Sequence, residues 1–303
     1  MPHPFSRARR CLVALFVFLY CASVHAGSVV THPFAGVTYI DRTEDTPRAI
    51  RMHIVQLDLA APGLRFKLTP PSGKLETTRQ TTLDFLKQEH AQVAINVHYF
   101  TPFPSADTEV LLVGLAVSDG NVYSAFESPY QNYALVADAS GINIDASNHA
   151  GIVHRDTPVS ALWTTVAGSA QIVTDGLKTI PAYADATHPG APLTPGGPNN
   201  YSNEKSWYDV LQARTAIGLT RDNRTLILFT VDVRGGSAGL KVGEVADILM
   251  KDYLVWNALN LDGGGSTTMA MEDPVTHVAS VVNTSSDNPA GRAVGSNLAV
   301  FAP

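Results

Sequence analysis

The residues best suited by type and spacing to do chemistry are Asn260-Leu261-Asp262-Gly263-Gly264-Gly265-Ser266-Thr267-Thr268. A short apolar run over 258–261 delivers a carboxylate, then three glycines, then three hydroxyls. Three successive glycines remove every Cβ, so the backbone can approach a ligand closely and adopt positive φ. Consecutive N–H groups in such a turn form a concave nest for an anion. The expectation is an anion cradle at Gly263, Gly264 and Gly265, helped by Ser266 and Thr267, beside an ionised Asp262. The alternative is a tight turn capped by the aspartate, which three glycines make entropically costly. No Gly-Lys-Ser/Thr follows, so the run is not a triphosphate-binding loop.

Four further groups could share that chemistry. Arg214, at the start of Arg214-Thr215-Ala216-Ile217-Gly218, could clamp a phosphate or carboxylate bidentately, or could simply end a strand in solvent. Val231-Asp232-Val233-Arg234-Gly235-Gly236 ends a strand in an acid and a base, either a self-paired turn or part of a site. Glu244 falls in the first turn of an apparent helix, where an acid also favours the positive helix end. In Ile95-Asn96-Val97-His98, a polar pair inside an apolar strand needs partners if buried. Asn96 could hold a sugar hydroxyl or a backbone group. His98 could carry protons or be a satisfied core histidine. The histidines and acids show neither zinc-ligand spacing nor an EF-hand loop, so neither a metal nor a cofactor is expected.

These residues need a scaffold to hold them, and the sequence supplies mostly strands. Apolar alternation or short apolar runs occur at 50–59, 93–100, 110–117, 133–136, 216–219, 225–233, 258–261 and 298–301. Turn sequences at 118–121, 140–141 and 222–223 separate several of them. Residues 81–90 and 242–254 carry helical spacing, the second with Val245, Ile248 and Leu249 on one face. The fold expected is α+β, a single domain over 27–303 with a large, mostly antiparallel or mixed sheet system and few helices. Residues 181–203 contain almost nothing aliphatic and read as a long surface loop, either passive or an active-site lid. Trp207 and Tyr208 follow it and could stack on a sugar ring or pack internally.

Composition narrows the class. Of 303 residues, 45% are hydrophobic and 16% charged, enough apolar material for a core and too little charge for a disordered chain. The net charge of −6 argues against a nucleic-acid partner. Arg7, Arg9 and Arg10 precede an apolar run over 11–22 and a small-residue Val24-His25-Ala26. That pattern reads as a signal peptide over 1–26, exporting the protein to the periplasm or medium. The run is too short to span roughly 30 Å of hydrocarbon, and no later segment is long and apolar enough. Cleavage after Ala26 removes Cys11 and Cys21, the only cysteines, so the mature chain would have no disulfide and no thiol nucleophile. Asn-x-Ser/Thr sequons lie at Asn200, Asn223 and Asn283.

The order of these segments resembles the phosphodiester glycosidase family. Ala258 to Ser266 is similar to that family's strongest signature, and Arg214 to Gly218 to its Arg-Thr-Ala-Ile-Gly strand. Ser237, Gly239-Leu240, Glu244 and Ala246 fall where the family has Ser-x-Gly-Leu and Glu-x-Ala. Asn96 and Tyr99-Phe100 resemble its Ile-Asn-Gly-Gly-Tyr/Phe-Phe element, with Val97 and His98 standing where small residues are usual. Val233 likewise stands where the family has glycine. The resemblance runs over residues 83–301.

It implies hydrolysis of a sugar-1-phosphodiester at the sugar C1–O bond, with Arg214, Thr215, Arg234 and the glycine turn holding the substrate. Asp262, Glu244 and Asp232 are the carboxylates it offers for catalysis. Two alternatives stay open: a phosphodiesterase cutting the P–O bond, and a non-catalytic envelope glycan-binding or assembly protein on the same scaffold.

Overall fold

A computed structural model describes residues 27–126, 140–168, 170–180 and 208–303. The expected leader, the strand expected at 133–136, the proline-rich loop with Trp207, and the sequon at Asn200 lie outside them. Every strand pairing among the described residues is antiparallel. The large sheet has eight strands in the order Gly27–Phe34, Val37–Glu44, Ile50–Asp58, Thr225–Val231, Arg214–Thr220, Val255–Asn260, Ala170–Thr174 and Leu177–Lys178. A five-stranded sheet lies against it, with Val93–Asn96 at its centre between Met269–Glu272 and Asn297–Phe301.

The period-2 alternation of each strand decides which core it feeds. In Ile50–Asp58, Met52 and Ile54 face one side and pack with Ile227, Phe229, Val245 and Leu249. Val55 and Leu57 face the other side and join Leu228, Leu259, Ile95 and Leu298 between the two sheets. Helix α1 (Thr82–Glu89) covers the outer face of the five-stranded sheet, where Phe85 and Leu86 meet Ala94, Ala270 and Ala299. Helix α2 (Val242–Tyr253) covers the outer face of the large sheet. The layers are thus helix, sheet, sheet, helix. A second five-stranded sheet, including Ala116–Ser118, Ser140–Ile144 and Thr164–Ala167, adds Ala116, Ile142 and Val166 to the same inter-sheet core.

The helices expected at 81–90 and 242–254 form, within a residue of those ends. Thr81 caps α1 by accepting the Asp84 N–H at 3.0 Å, and His90 ends it in the left-handed region. The class needs correction: sheet dominates the described chain and the two α-helices only cover its outer faces, so the fold is predominantly β rather than α+β. The apolar run at 110–117 is not one strand. It breaks into Glu109–Leu112 and Ala116–Ser118 around Gly114, whose φ of 96° suits glycine alone.

Gly168 lies against the strand that leads to Asp262. A Cβ there would sit 2.3 Å from the carbonyl oxygen of Asn260. Gly168→Ala should therefore destabilise the chain by about 1–3 kcal/mol, the usual cost of overpacking, read as a lower urea midpoint. An unchanged midpoint would show that the strand yields without cost.

Candidate active site

Asp262 sits where the chain crosses between the two large layers. Strand Val255–Asn260 runs inside the eight-stranded sheet, and Leu261 N–H still bonds to Thr215 there at 2.9 Å. One residue later the Asp262 N–H donates to the carbonyl of Val97, beyond the end of the central strand of the other sheet, at 2.8 Å. Asn96 locks this crossing. Its Nδ2 donates to the Asp262 carbonyl at 2.7 Å. Its Oδ1 accepts from Thr215 Oγ1 at 2.9 Å and from Thr268 N–H at 3.0 Å. Asn96 is fully buried, so of its two readings the structure selects the backbone clamp. Thr215 and Thr267 are buried in the same seam, their hydroxyls 3.4 Å apart.

The glycine turn does not form the expected three-amide cradle. Gly264 N–H donates to the Ala213 carbonyl at 2.8 Å. Ser266 and Thr267 N–H groups turn back onto Gly263 and Gly264 in a 3₁₀ turn over Gly264–Ser266. The glycines are needed for other reasons. Gly264 has φ of 60°. At Gly265 a Cβ would lie 2.1 Å from Nη2 of Arg292, so the turn is bare where an arginine crosses it.

That arginine and the aspartate share a small cleft of about 130 Å³, walled also by Tyr99, Phe100, Phe103 and Ser266. Arg292 donates through Nε to Asp287 at 2.9 Å, lies 4.6 Å from the Phe103 ring centroid, and has Nη1 3.4 Å from Ser266 Oγ. Phe103 meets Phe100 edge-on at 5.6 Å. Asp262 is only 8% exposed. Burial drives its pKa up to about 7, against the pull of the Ser266 hydroxyl, the Arg292 charge and the Gly263 amide, all favouring the anion. A carboxyl that titrates near neutrality in a cleft can hold or release a proton at working pH.

The other predicted residues are placed elsewhere. Arg214 is fully buried, with Nε donating to Leu240 O at 3.0 Å and Nη2 to Val210 O at 2.6 Å, rather than standing solvated at a strand end. Burial lowers its pKa to about 10, which leaves it a cation. Asp232 is sealed, accepting from Thr284 N–H at 3.0 Å and Asn283 Nδ2 at 3.2 Å, with His53 Nε2 3.4 Å away. Asn283 is consumed by these contacts, so its sequon is not presented to solvent. Glu244 accepts the Lys241 N–H at 2.8 Å and pairs with Arg48, capping α2. Arg234 is exposed on a turn and does not line the cleft.

His98 resolves to the core reading, 1% exposed. Its Nδ1 meets Ser296 Oγ at 2.7 Å, and its Nε2 lies near Leu115 O and Ala167 N. Burial lowers its pKa to about 4, so it stays neutral. Tyr208 is buried in the core beneath α2. No cluster of three or more His, Cys, Asp or Glu suited to a metal occurs among the described residues. Arg292 and Phe103 were not anticipated. Arg292 sits in a Gly/Asn/Pro-rich segment far along the chain, and no local spacing ties it to Asp262.

Comparison with known proteins places this geometry in a context. A family model described as phosphodiester glycosidase matches residues 89–301. The human N-acetylglucosamine-1-phosphodiester alpha-N-acetylglucosaminidase is 44% identical over 63 residues, which are 21% of this chain and 12% of that protein. The bovine protein of the same name is 43% identical over 63 residues, with the same shares. The matched stretch is thus a small part of those relatives. The zebrafish catalytic domain of that name superposes with a TM-score of 0.60 at 21% identity, covering 94% of this chain and 85% of that one. A protein from Burkholderia pseudomallei superposes at 0.60 with 15% identity, covering 97% and 100%. At these identities the superpositions establish the fold.

The raised pKa of Asp262 sets a pH dependence of stability. Its ordinary value is near 3.9, so the folded chain holds this proton more tightly than the unfolded one. The contribution is therefore full below pH ~4 and is lost as pH rises through about 7. Asp262→Asn removes that loss, and by ~1.36 kcal/mol per unit the variant should gain up to a few kcal/mol over wild type at pH 8. The gain should shrink toward pH 4–5 in parallel urea titrations. A difference that is the same at both pH values would contradict the assignment.

Proposed function

The chain belongs to the phosphodiester glycosidase family, and we propose that it is an exported hydrolase of sugar-1-phosphodiesters, breaking the sugar C1–O bond. The observation that carries this reading is the Asp262 carboxyl, buried at the lip of a cleft with a pKa near 7 beside a guanidinium. In the proposed reaction, water adds to C1, and the C1–O electron pair leaves with the phosphate. The products are the sugar and a phosphomonoester.

Phosphate is a weak base, so the departing oxygen needs little help from an acid. Electrostatic stabilisation of its charge should matter more. That leaves the carboxyl for the sugar side. As an anion, Asp262 supports positive charge developing at C1 or takes the proton of the attacking water. Glu244 and Asp232 are held by contacts away from the cleft, so Asp262 is the carboxylate this reading relies on. The leader read over 1–26 supports a reaction outside the cytoplasm.

The exported chain, incubated with a panel of sugar-1-phosphodiesters and read by mass, should release sugar and phosphomonoester. Release of sugar phosphate would instead assign a P–O cut, and binding without product would assign a non-catalytic scaffold. Asp262→Asn should lower kcat by roughly 10²–10⁴-fold, the range for losing a positioned acid or base. Wild-type turnover in a folded Asp262→Asn protein would remove this residue from the mechanism.

A further inference from the structure

Four observations converge on the guanidinium of Arg292. First, it is pre-positioned: Asp287 holds its Nε edge at 2.9 Å, and the Phe103 ring supports it at 4.6 Å. Second, its Nη2 has no hydrogen-bond partner among the described residues, although the side chain is only 25% exposed at the cleft. A guanidinium carries five N–H donors in a rigid fork, and a phosphate oxygen pair matches that fork. Third, the turn beneath it is bare at Gly265, where any Cβ would collide with Nη2 at 2.1 Å. Fourth, two of the groups the sequence offered for holding an anion are engaged elsewhere. The Gly264 amide donates to the Ala213 carbonyl, and Arg214 donates to two backbone carbonyls in the core.

We propose that Arg292 is the phosphate-binding residue of this cleft, and that Gly265 is glycine so that its guanidinium can lie across the turn beside Asp262. The inference rests on the glycosyl phosphodiester reading for its substrate class. The phosphate sits against Nη2 and Nη1, in the cleft that Asp262 also lines. Arg79 reinforces the site from behind. It donates to the carbonyls of Ser105 and Pro102 and lies 5.0 Å from the Phe100 ring centroid, bracing the segment that carries Phe103. Its role is support, because both of its terminal nitrogens donate to backbone carbonyls.

Dimethyl phosphate, a phosphodiester monoanion with no sugar, tests the site without any turnover. Titrated into the exported chain and followed by ³¹P line broadening, it should bind saturably. Arg292→Ala should weaken it by at least roughly tenfold, the range for losing charge-assisted hydrogen bonds. Gly265→Ala, which keeps the arginine but displaces it, should weaken it comparably, and Arg292→Lys should fall between. Folding of each variant is checked by thermal melting. Should Arg292→Ala fail to fold, the other two carry the test, and wild-type binding in either one would overturn the proposal. So would the absence of saturable binding to the wild-type chain. Binding that depends on Arg292 in a chain that hydrolyses no member of the sugar panel would keep this inference and refute the reaction. Hydrolysis that is indifferent to Arg292→Ala would do the reverse.

Discussion

Asn96 spends both ends of its carboxamide on three residues of two other segments, and these contacts hold the site. The side chain is fully buried between the two large sheets, where an unmet amide would cost on the order of 1–3 kcal/mol. It meets its demands by donating to the Asp262 carbonyl and accepting from Thr215 and Thr268. These contacts bind the end of one sheet to the strand end of the other at the point where the chain crosses between them. The carboxylate of Asp262 is therefore carried on a backbone fixed from both sides. Such fixing is what catalysis by a positioned group requires.

The same polar seam continues away from the cleft. Asn283 accepts the Met269 N–H at 2.8 Å and donates to the Thr267 carbonyl and to Asp232. Asp232 in turn holds Thr284 N–H and faces His53, whose other ring nitrogen is 2.8 Å from Tyr39 OH. Buried polar networks of this kind are stable only when their members are satisfied, and they then fix one arrangement of the core. Asp232 thus serves the site at a distance, by anchoring the segment that follows the glycine turn. Glu244 has a comparable structural role, closing the N-terminus of α2 against Arg48.

Stability and reactivity are set against each other at Asp262. Burial raises the cost of its charge, while Ser266, Gly263 and Arg292 return part of that cost. The balance leaves a carboxyl that changes protonation near neutral pH. A fully solvated aspartate would be permanently ionised there, and one stripped of these partners would stay protonated. Phe100 and Phe103 give one side of the cleft an apolar wall, with the guanidinium lying against the Phe103 ring.

Several strands, both helices, the Asp262 turn and the family resemblance were legible in the chain because each is a local pattern, whereas the break at Gly114 and the strand Ser140–Ile144, where the sequence suggested a turn, were not. Period-2 alternation, the Thr81 cap and a run of three glycines all lie within a few residues. The reason for those glycines was not legible. Gly265 is bare because of Arg292, which a sequence separation of 27 residues brings onto it only through the return of Asn297–Phe301 to the sheet beside Val93–Asn96. The choice between roles was also tertiary. Asn96, His98, Arg214 and Asp232 are polar residues in or beside apolar strands, and the sequence leaves each open between ligand contact and internal contact. Only burial and the positions of carbonyls from distant segments decide that. Sequence by itself determined which groups are present and which elements carry them. The packing of two sheets decided which of them face a cavity, since exposure depends on every layer placed on top.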